Sequence, residues 1–137
     1  MVESSSTDWA GLALVVGPGG IGSAVAVELK RTCPDLFVLT AGRQGPPASS
    51  LQLDIESDRD LAQLTTTLRQ QPLPLRLVFN CTGRLHGPGL QPEKRLQQVD
   101  RSGLEQQFGI NAMAPILLAK AIEPLLQRDQ PFHFASL

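Results

Sequence analysis

The segment Val15-Val16-Gly17-Pro18-Gly19-Gly20-Ile21-Gly22 constrains this chain most, because it joins a short apolar run to an amphipathic one through a glycine turn. Leu12–Val16 reads as a strand and Ile21–Arg31 as a helix, and Gly17, Gly19 and Gly22 fit the spacing G-x-G-x-x-G. Each position has a physical reason: a tight turn, close approach of backbone to a pyrophosphate, and close packing of helix on strand. The helix start then offers N–H groups and a positive dipole end to phosphates. Glycines also make ordinary turns, so the pattern needs its context.

The context is the second strand. In a dinucleotide-binding unit the acid that holds the ribose 2′-OH stands about 20 residues beyond the glycines. Here the apolar run Leu36-Phe37-Val38-Leu39 ends in Thr40-Ala41-Gly42-Arg43, with an arginine and no carboxylate. A guanidinium can grip a 2′-phosphate through paired charge-assisted hydrogen bonds, each worth roughly 1.5–3 kcal/mol. The expected cofactor is therefore NADP rather than NAD. The competing reading of Arg43 is a solvated loop residue.

The rest of the chain alternates strand-like and helix-like segments, which predicts an α/β fold. Leu36–Thr40 is the second strand, Gln44–Ser50 a Pro/Gly/Ser-rich loop, and Leu51–Ile55 a short third strand. Ser57 can cap a helix through about Gln70, with Leu61, Leu64 and Leu68 as its buried stripe. Leu75–Asn80 is strand four, Gly83–Gln91 a loop, and Pro92 a candidate start for a helical turn at Glu93-Lys94. A long helix is expected from near Ser102 past Ile122, then a fifth strand over Phe132–Ala135. Right-handed crossovers from the glycine turn predict a doubly wound, Rossmann-type parallel sheet in the order 3-2-1-4-5, as one domain over residues 1–137. Strand five would then be an apolar sheet edge.

The long helix carries two apolar stripes. Leu104, Phe108, Ala112, Pro115, Ala119 and Ile122 form one; Ile110, Ala114, Leu117, Leu118 and Ala121 form the other. Such a helix needs two burial surfaces, the sheet and either a partner subunit or a later part of the same domain. A homo-oligomer through the Ser102–Ile122 helix is thus one expectation. Within it, Pro115 has no N–H for the carbonyl of Asn111, which predicts a freed carbonyl and a kink.

Composition narrows the partners. A formal net charge of −1, with basic residues scattered, gives no footprint for nucleic acid or an anionic membrane. The N-terminal Met-Val-Glu-Ser-Ser-Ser-Thr-Asp lacks the features of a signal peptide, and the apolar run Ala112–Ala119 is too short to cross a bilayer. Cys33 and Cys81 form neither a disulfide framework nor a metal-ligand spacing. A reduced, cytoplasmic protein without a metal is expected. His86 and His133 have no carboxylate at catalytic spacing, and His133, between Phe132 and Phe134, reads as structural.

The glycine turn, Gly42-Arg43, Asp54-Ile55, Asn80-Cys81-Thr82-Gly83 and Asn111-Ala112 stand in the order and contexts of a short-chain dehydrogenase/reductase, and the chain resembles the first half of such an enzyme. Within that family it looks most like the C-factor-like branch, through Asn80-Cys81-Thr82-Gly83-Arg84-Leu85-His86 and Leu90-Gln91-Pro92-Glu93-Lys94. The resemblance implies that Gly17, Gly19, Gly20, Ile21 and Gly22 cradle the cofactor phosphates. It also implies that Asp54 accepts from the adenine amino group beside Ile55, and that Asn80, Cys81, Thr82 and Gly83 line the ribose. Family members read G-x-x-x-G-x-G and Asn-Asn-Ala-Gly at the two motifs, so the turn here is one residue shorter, and Cys81 and Thr82 depart from the pattern.

By the same resemblance Asn111 is the helix asparagine of the catalytic tetrad, whose carbonyl holds a relay water. Ser136, or a serine beyond Leu137, matches the catalytic serine. The family's proton donor is the tyrosine of Tyr-x-x-x-Lys, and this chain contains no tyrosine. The expectation is an NADP(H)-dependent oxidoreductase acting on a carbonyl/alcohol pair, represented by its cofactor-binding half and inactive alone. The alternative is a non-catalytic dinucleotide-binding or interaction module derived from that family. A methyltransferase fits less well, because it wants an acid at the end of strand two.

Overall fold

The computed structural model describes residues 10–84, 87 and 90–137. Its elements are β1 (Gly11–Val16), α1 (Gly20–Thr32), β2 (Leu36–Gly42), β3 (Leu51–Gln52), α2 (Asp58–Arg69), β4 (Leu75–Asn80), α3 (Arg101–Phe108), α4 (Ala114–Ile122) and β5 (His133–Ser136). The strands form one sheet in the order β3-β2-β1-β4-β5, with every pairing parallel. This is the order expected from the sequence.

Every residue of β1 is buried, which explains its unbroken apolar run: a central parallel strand is covered on both faces. Ala13 and Val15 pack with Ala26, Val25 and Leu29 of α1. Leu12, Leu14 and Val16 face the opposite layer, where Leu61, Leu64 and Leu68 of α2 meet Ala114, Leu118 and Ile122 of α4. Each fully buried leucine here contributes about 1.5–3 kcal/mol of transfer free energy. The chain leaves β1 toward β2 on one side and later returns to β4 on the other. The crevice beyond the strand ends at that reversal is where a doubly wound sheet takes its ligands.

Several boundaries differ from expectation, each for a local reason. The third strand is Leu51–Gln52 rather than Leu51–Ile55. Leu53 N–H still donates to Gly42 O at 2.8 Å, but Asp54 N–H goes to Asp60 Oδ2 at 2.8 Å and Ser57 N–H to Asp54 O at 3.0 Å. Those bonds turn the chain into α2, whose N-terminus is capped by Ser57. No helical turn forms at Glu93-Lys94; Gln98 Oε1 accepts from the N–H groups of Lys94 and Arg95, and a 3₁₀ turn follows at Leu96–Gln98. Strand five lies one residue later than expected, at His133–Ser136, in register with Leu77–Asn80 of β4.

At Pro115 the helix responds by widening into a π turn over Gly109–Met113, where Ala114 N–H reaches back to Gly109 O. The extra residue rotates the faces. Ile110, Ala114, Leu118 and Ile122 share the sheet side, so Ile122 leaves its expected stripe, while Leu104 and Phe108 stand exposed. The π turn and a 3₁₀ turn at Glu123–Leu125 keep the segment continuous, and an 18-residue stretch within Arg101–Leu125 reaches a mean hydropathy of 1.2, so by length and composition alone this helix is long and apolar enough to cross a membrane. The apolar run Ala112–Ala119 is only part of this helix, which here packs one face on the sheet.

Candidate functional site

A cleft of about 690 Å³ opens at the C-terminal ends of β1, β2 and β4. Its floor is the glycine turn. Gly17 adopts φ +82° and donates its N–H to Ala41 O at 2.9 Å, so the chain reverses immediately after β1. A Cβ on Gly22 would stand 2.0 Å from Gly17 O; only glycine lets the helix pack this close. A Cβ on Gly19 or Gly20 would meet nothing within 4 Å, which leaves an open cradle in front of both.

The cradle is electrostatically unbalanced. Gly19 is the N-cap of α1 with no side chain capping it, and the first turn holds no acidic residue. By contrast Ser57 caps α2, which carries Asp58 and Asp60 in its first turn, and Asp100 caps α3. The first amides of α1 therefore point their unshared N–H groups and the positive dipole end at the cleft. Ser23 steadies the turn by donating its Oγ–H to Pro18 O at 2.7 Å. These features fit a pyrophosphate.

The far wall comes from β2 and the chain after β3. Gly42 abuts the turn, since a Cβ there would lie 2.8 Å from Pro18 Cδ. Arg43 lies at the mouth, with its Nη2 3.3 Å from Glu56 Oε2 and its Nε 4.0 Å from Asp54 Oδ1. Asp54 Oδ1 also accepts from Glu56 N–H at 3.0 Å, and Asp54 is not on the cleft lining, whereas Ile55 and Leu53 are. The resemblance singled out Asp54 and Arg43 separately; the structure joins them in one ion-pair network with Glu56, a residue the sequence reading did not mark.

The near wall follows β4. Asn80 is wholly buried and does not touch the cleft. Its Oδ1 accepts from Thr82 N–H at 3.1 Å and Thr82 Oγ1 at 2.7 Å, and its Nδ2 donates to Ser136 Oγ at 3.1 Å. Asn80 thus sets the positions of Cys81, Thr82 and Gly83 on the lining and ties β4 to Ser136 of β5. Burial pushes the Cys81 thiol up from its ordinary pKa.

Asn111, in the π turn, grips the backbone of Arg84 from both sides: Oδ1 accepts from Arg84 N–H and Nδ2 donates to Arg84 O, each at 2.8 Å. Gly83 is close by, where a Cβ would lie 3.3 Å from Asn111 Oδ1. The side chain of Asn111 therefore fixes the strand-four loop. Neither Asn111 nor Ser136 lines the cleft. Ala48, Ser49 and Ile110 do line it and were missed, because their chain positions carry no motif. His86 lies outside the described residues, as do Leu85 and the N-terminal segment 1–9.

No family model matches this sequence, and no curated protein does. Solved structures match its fold well. A short-chain type dehydrogenase/reductase from Mycobacterium ulcerans superposes with a TM-score of 0.73 at 19% identity, over 91% of this chain and 50% of its own. A short-chain dehydrogenase from Streptomyces avermitilis gives 0.74 at 16% identity, over 93% and 48%. A Burkholderia multivorans chain described as a short-chain dehydrogenase/reductase with bound NADP gives 0.73 at 19% identity, over 91% and 58%. The likeness is one of fold, and this chain spans about half to three-fifths of those chains' lengths.

Proposed function

We propose that this chain is the NADP(H)-binding portion of an oxidoreductase of the short-chain dehydrogenase/reductase type, acting on a carbonyl/alcohol pair. The observation that carries the reading is the uncapped, glycine-lined start of α1 facing a cleft at the sheet's reversal point, with Arg43 at its adenosine end. The cofactor of the Burkholderia neighbour supports a nicotinamide dinucleotide, and the lack of a carboxylate at the end of β2 supports the 2′-phosphorylated form. The sequence Asn80-Cys81-Thr82-Gly83 and the stretch Leu90–Lys94 support the C-factor-like branch.

In this reading the amides of Gly19, Gly20 and Ile21 bind the pyrophosphate, Arg43 the 2′-phosphate, and Ile55 packs on the adenine. When bound, a nicotinamide dinucleotide supplies the hydride that reduces a carbonyl. Cys81, Thr82 and Gly83, positioned by Asn80, line the ribose. Asn111 secures the loop after β4, and the hydroxyl of Ser136, held by Asn80, orients the carbonyl oxygen. These residues bind and orient, but the general acid of the resemblance is a tyrosine, and the chain has none. The alternative is a non-catalytic dinucleotide-binding or interaction module derived from that family.

A second copy is proposed to cover the Ser102–Ile122 stretch, where Phe108, Met113 and Ile116 stand exposed. A reduced cytoplasmic setting accords with free Cys33 and Cys81. The test of the main reading is titration with NADPH and NADH, followed by nicotinamide fluorescence. Saturable binding that favours NADPH, and loses that preference in Arg43→Ala, is expected. No binding of either cofactor would overturn it.

A further inference from the structure

Arg43 is not waiting free for a phosphate. Its guanidinium is shared between Glu56, 3.3 Å away, and Asp54, 4.0 Å away, so the adenosine end carries two carboxylates to one cation. Glu56 Oε1 lies close to Gly109 at the start of the π turn, 2.9 Å from where a Cβ there would stand. Its backbone N–H is anchored on Asp54 Oδ1 at 3.0 Å. The ion pair places the carboxylate beside Arg43, which lines the cleft; Glu56 itself is not on the lining.

We infer that Glu56 is a specificity-determining residue that opposes a 2′-phosphate, by competing for Arg43 and by like-charge repulsion. The inference rests on the reading of this cleft as a dinucleotide site. Two effects of Glu56 pull in opposite directions. Holding Arg43 ready would help a phosphate, but the two side chains are 55% and 33% exposed, and pairs so open to solvent are worth little. A carboxylate sharing one guanidinium with a phosphate dianion repels it even in a water-like dielectric, at a cost on the order of tenfold in affinity. The repulsion wins.

The test uses adenosine probes that differ in the 2′-phosphate alone. Wild type and Glu56→Gln are titrated by calorimetry with 2′,5′-ADP and 5′-AMP, and with NADPH and NADH. Glu56→Gln keeps the shape of the side chain and should tighten the 2′-phosphorylated probes by about 5–10-fold, with less than about twofold change for the others. Glu56→Ala should move the ratio the same way, and circular dichroism checks that both variants fold. An unchanged or reduced ratio in both variants, with wild type binding normally, overturns this inference alone. Failure of all four probes to bind wild type overturns the dinucleotide reading and the inference with it.

Discussion

Replacing Gly20 by alanine separates the stability of the fold from the use of its glycine turn. Gly20 is the first residue of α1, and a Cβ there meets nothing within 4 Å. Alanine is the better helix former by roughly 0.8–1.0 kcal/mol, and part of that gain comes from a less flexible unfolded chain. With no clash to subtract, Gly20→Ala should stabilise the protein by about 0.5–1 kcal/mol, a rise of about 2–4 °C in Tm for a domain of this size. The same methyl projects into the cradle where a pyrophosphate would lie against backbone amides. NADPH affinity should then fall at least about tenfold, or 1.4 kcal/mol. Gly22→Ala is the contrasting control: its Cβ would sit 2.0 Å from Gly17 O, so it should lose stability by about 2–3 kcal/mol or more. Thermal unfolding and fluorescence titration read the two quantities independently. A stabilised Gly20→Ala that binds NADPH as tightly as wild type would refute the assignment of the turn as a phosphate cradle.

Three further outcomes follow from the same geometry. Asn80→Leu should cost roughly 2–4 kcal/mol in urea unfolding, because it strands the buried partners on Thr82; a loss below about 1 kcal/mol would contradict the role given to Asn80. Arg76 is buried, and among the described residues its Nε and Nη2 find no partner while Nη1 donates to Gln130 Oε1 at 3.2 Å. Arg76→Met should therefore raise stability by about 1 kcal/mol, and a clear loss would show that the guanidinium is better satisfied than its contacts indicate. Burial holds up the pKa of Cys81, and the thiolate is the reactive form. In a Cys33→Ser background, alkylation of Cys81 at pH 8 should be slower than that of a free thiol, should accelerate as pH rises, and should slow further with NADPH. A rate at pH 8 equal to that of a free thiol would count against it.

Much of the fold was legible because its strongest signals are local. The apolar run of β1, the turn glycines and the stripe Leu61, Leu64, Leu68 each follow from burial at a fixed period, and the connection rules then order the sheet. Boundaries set by side chains reaching across the chain were not legible. Asp60 taking Asp54 N–H shortens β3, and Gln98 holding Lys94 and Arg95 displaces a helical turn. Pro115 signalled a disturbed helix, but that the disturbance takes the form of a π turn depends on how Ala114 finds Gly109 O, and that register decides where Ile122 points. At the site, the cradle and Arg43 could be read from spacing. The pairing of Arg43 with Glu56 could not, since it joins the end of β2 to the turn before α2, thirteen residues away.

The central claim is that the start of α1 and the end of β2 together hold one dinucleotide. Backbone amide resonances of the isotopically labelled protein, followed during titration with NADPH, test it residue by residue. The account predicts saturable shifts at Gly19, Gly20, Ile21 and Gly22, at Arg43, and at Cys81 to Gly83, with α2 unmoved. Shifts confined to the groove of Val99, Leu104 and Phe108, or none at saturating NADPH, would contradict it.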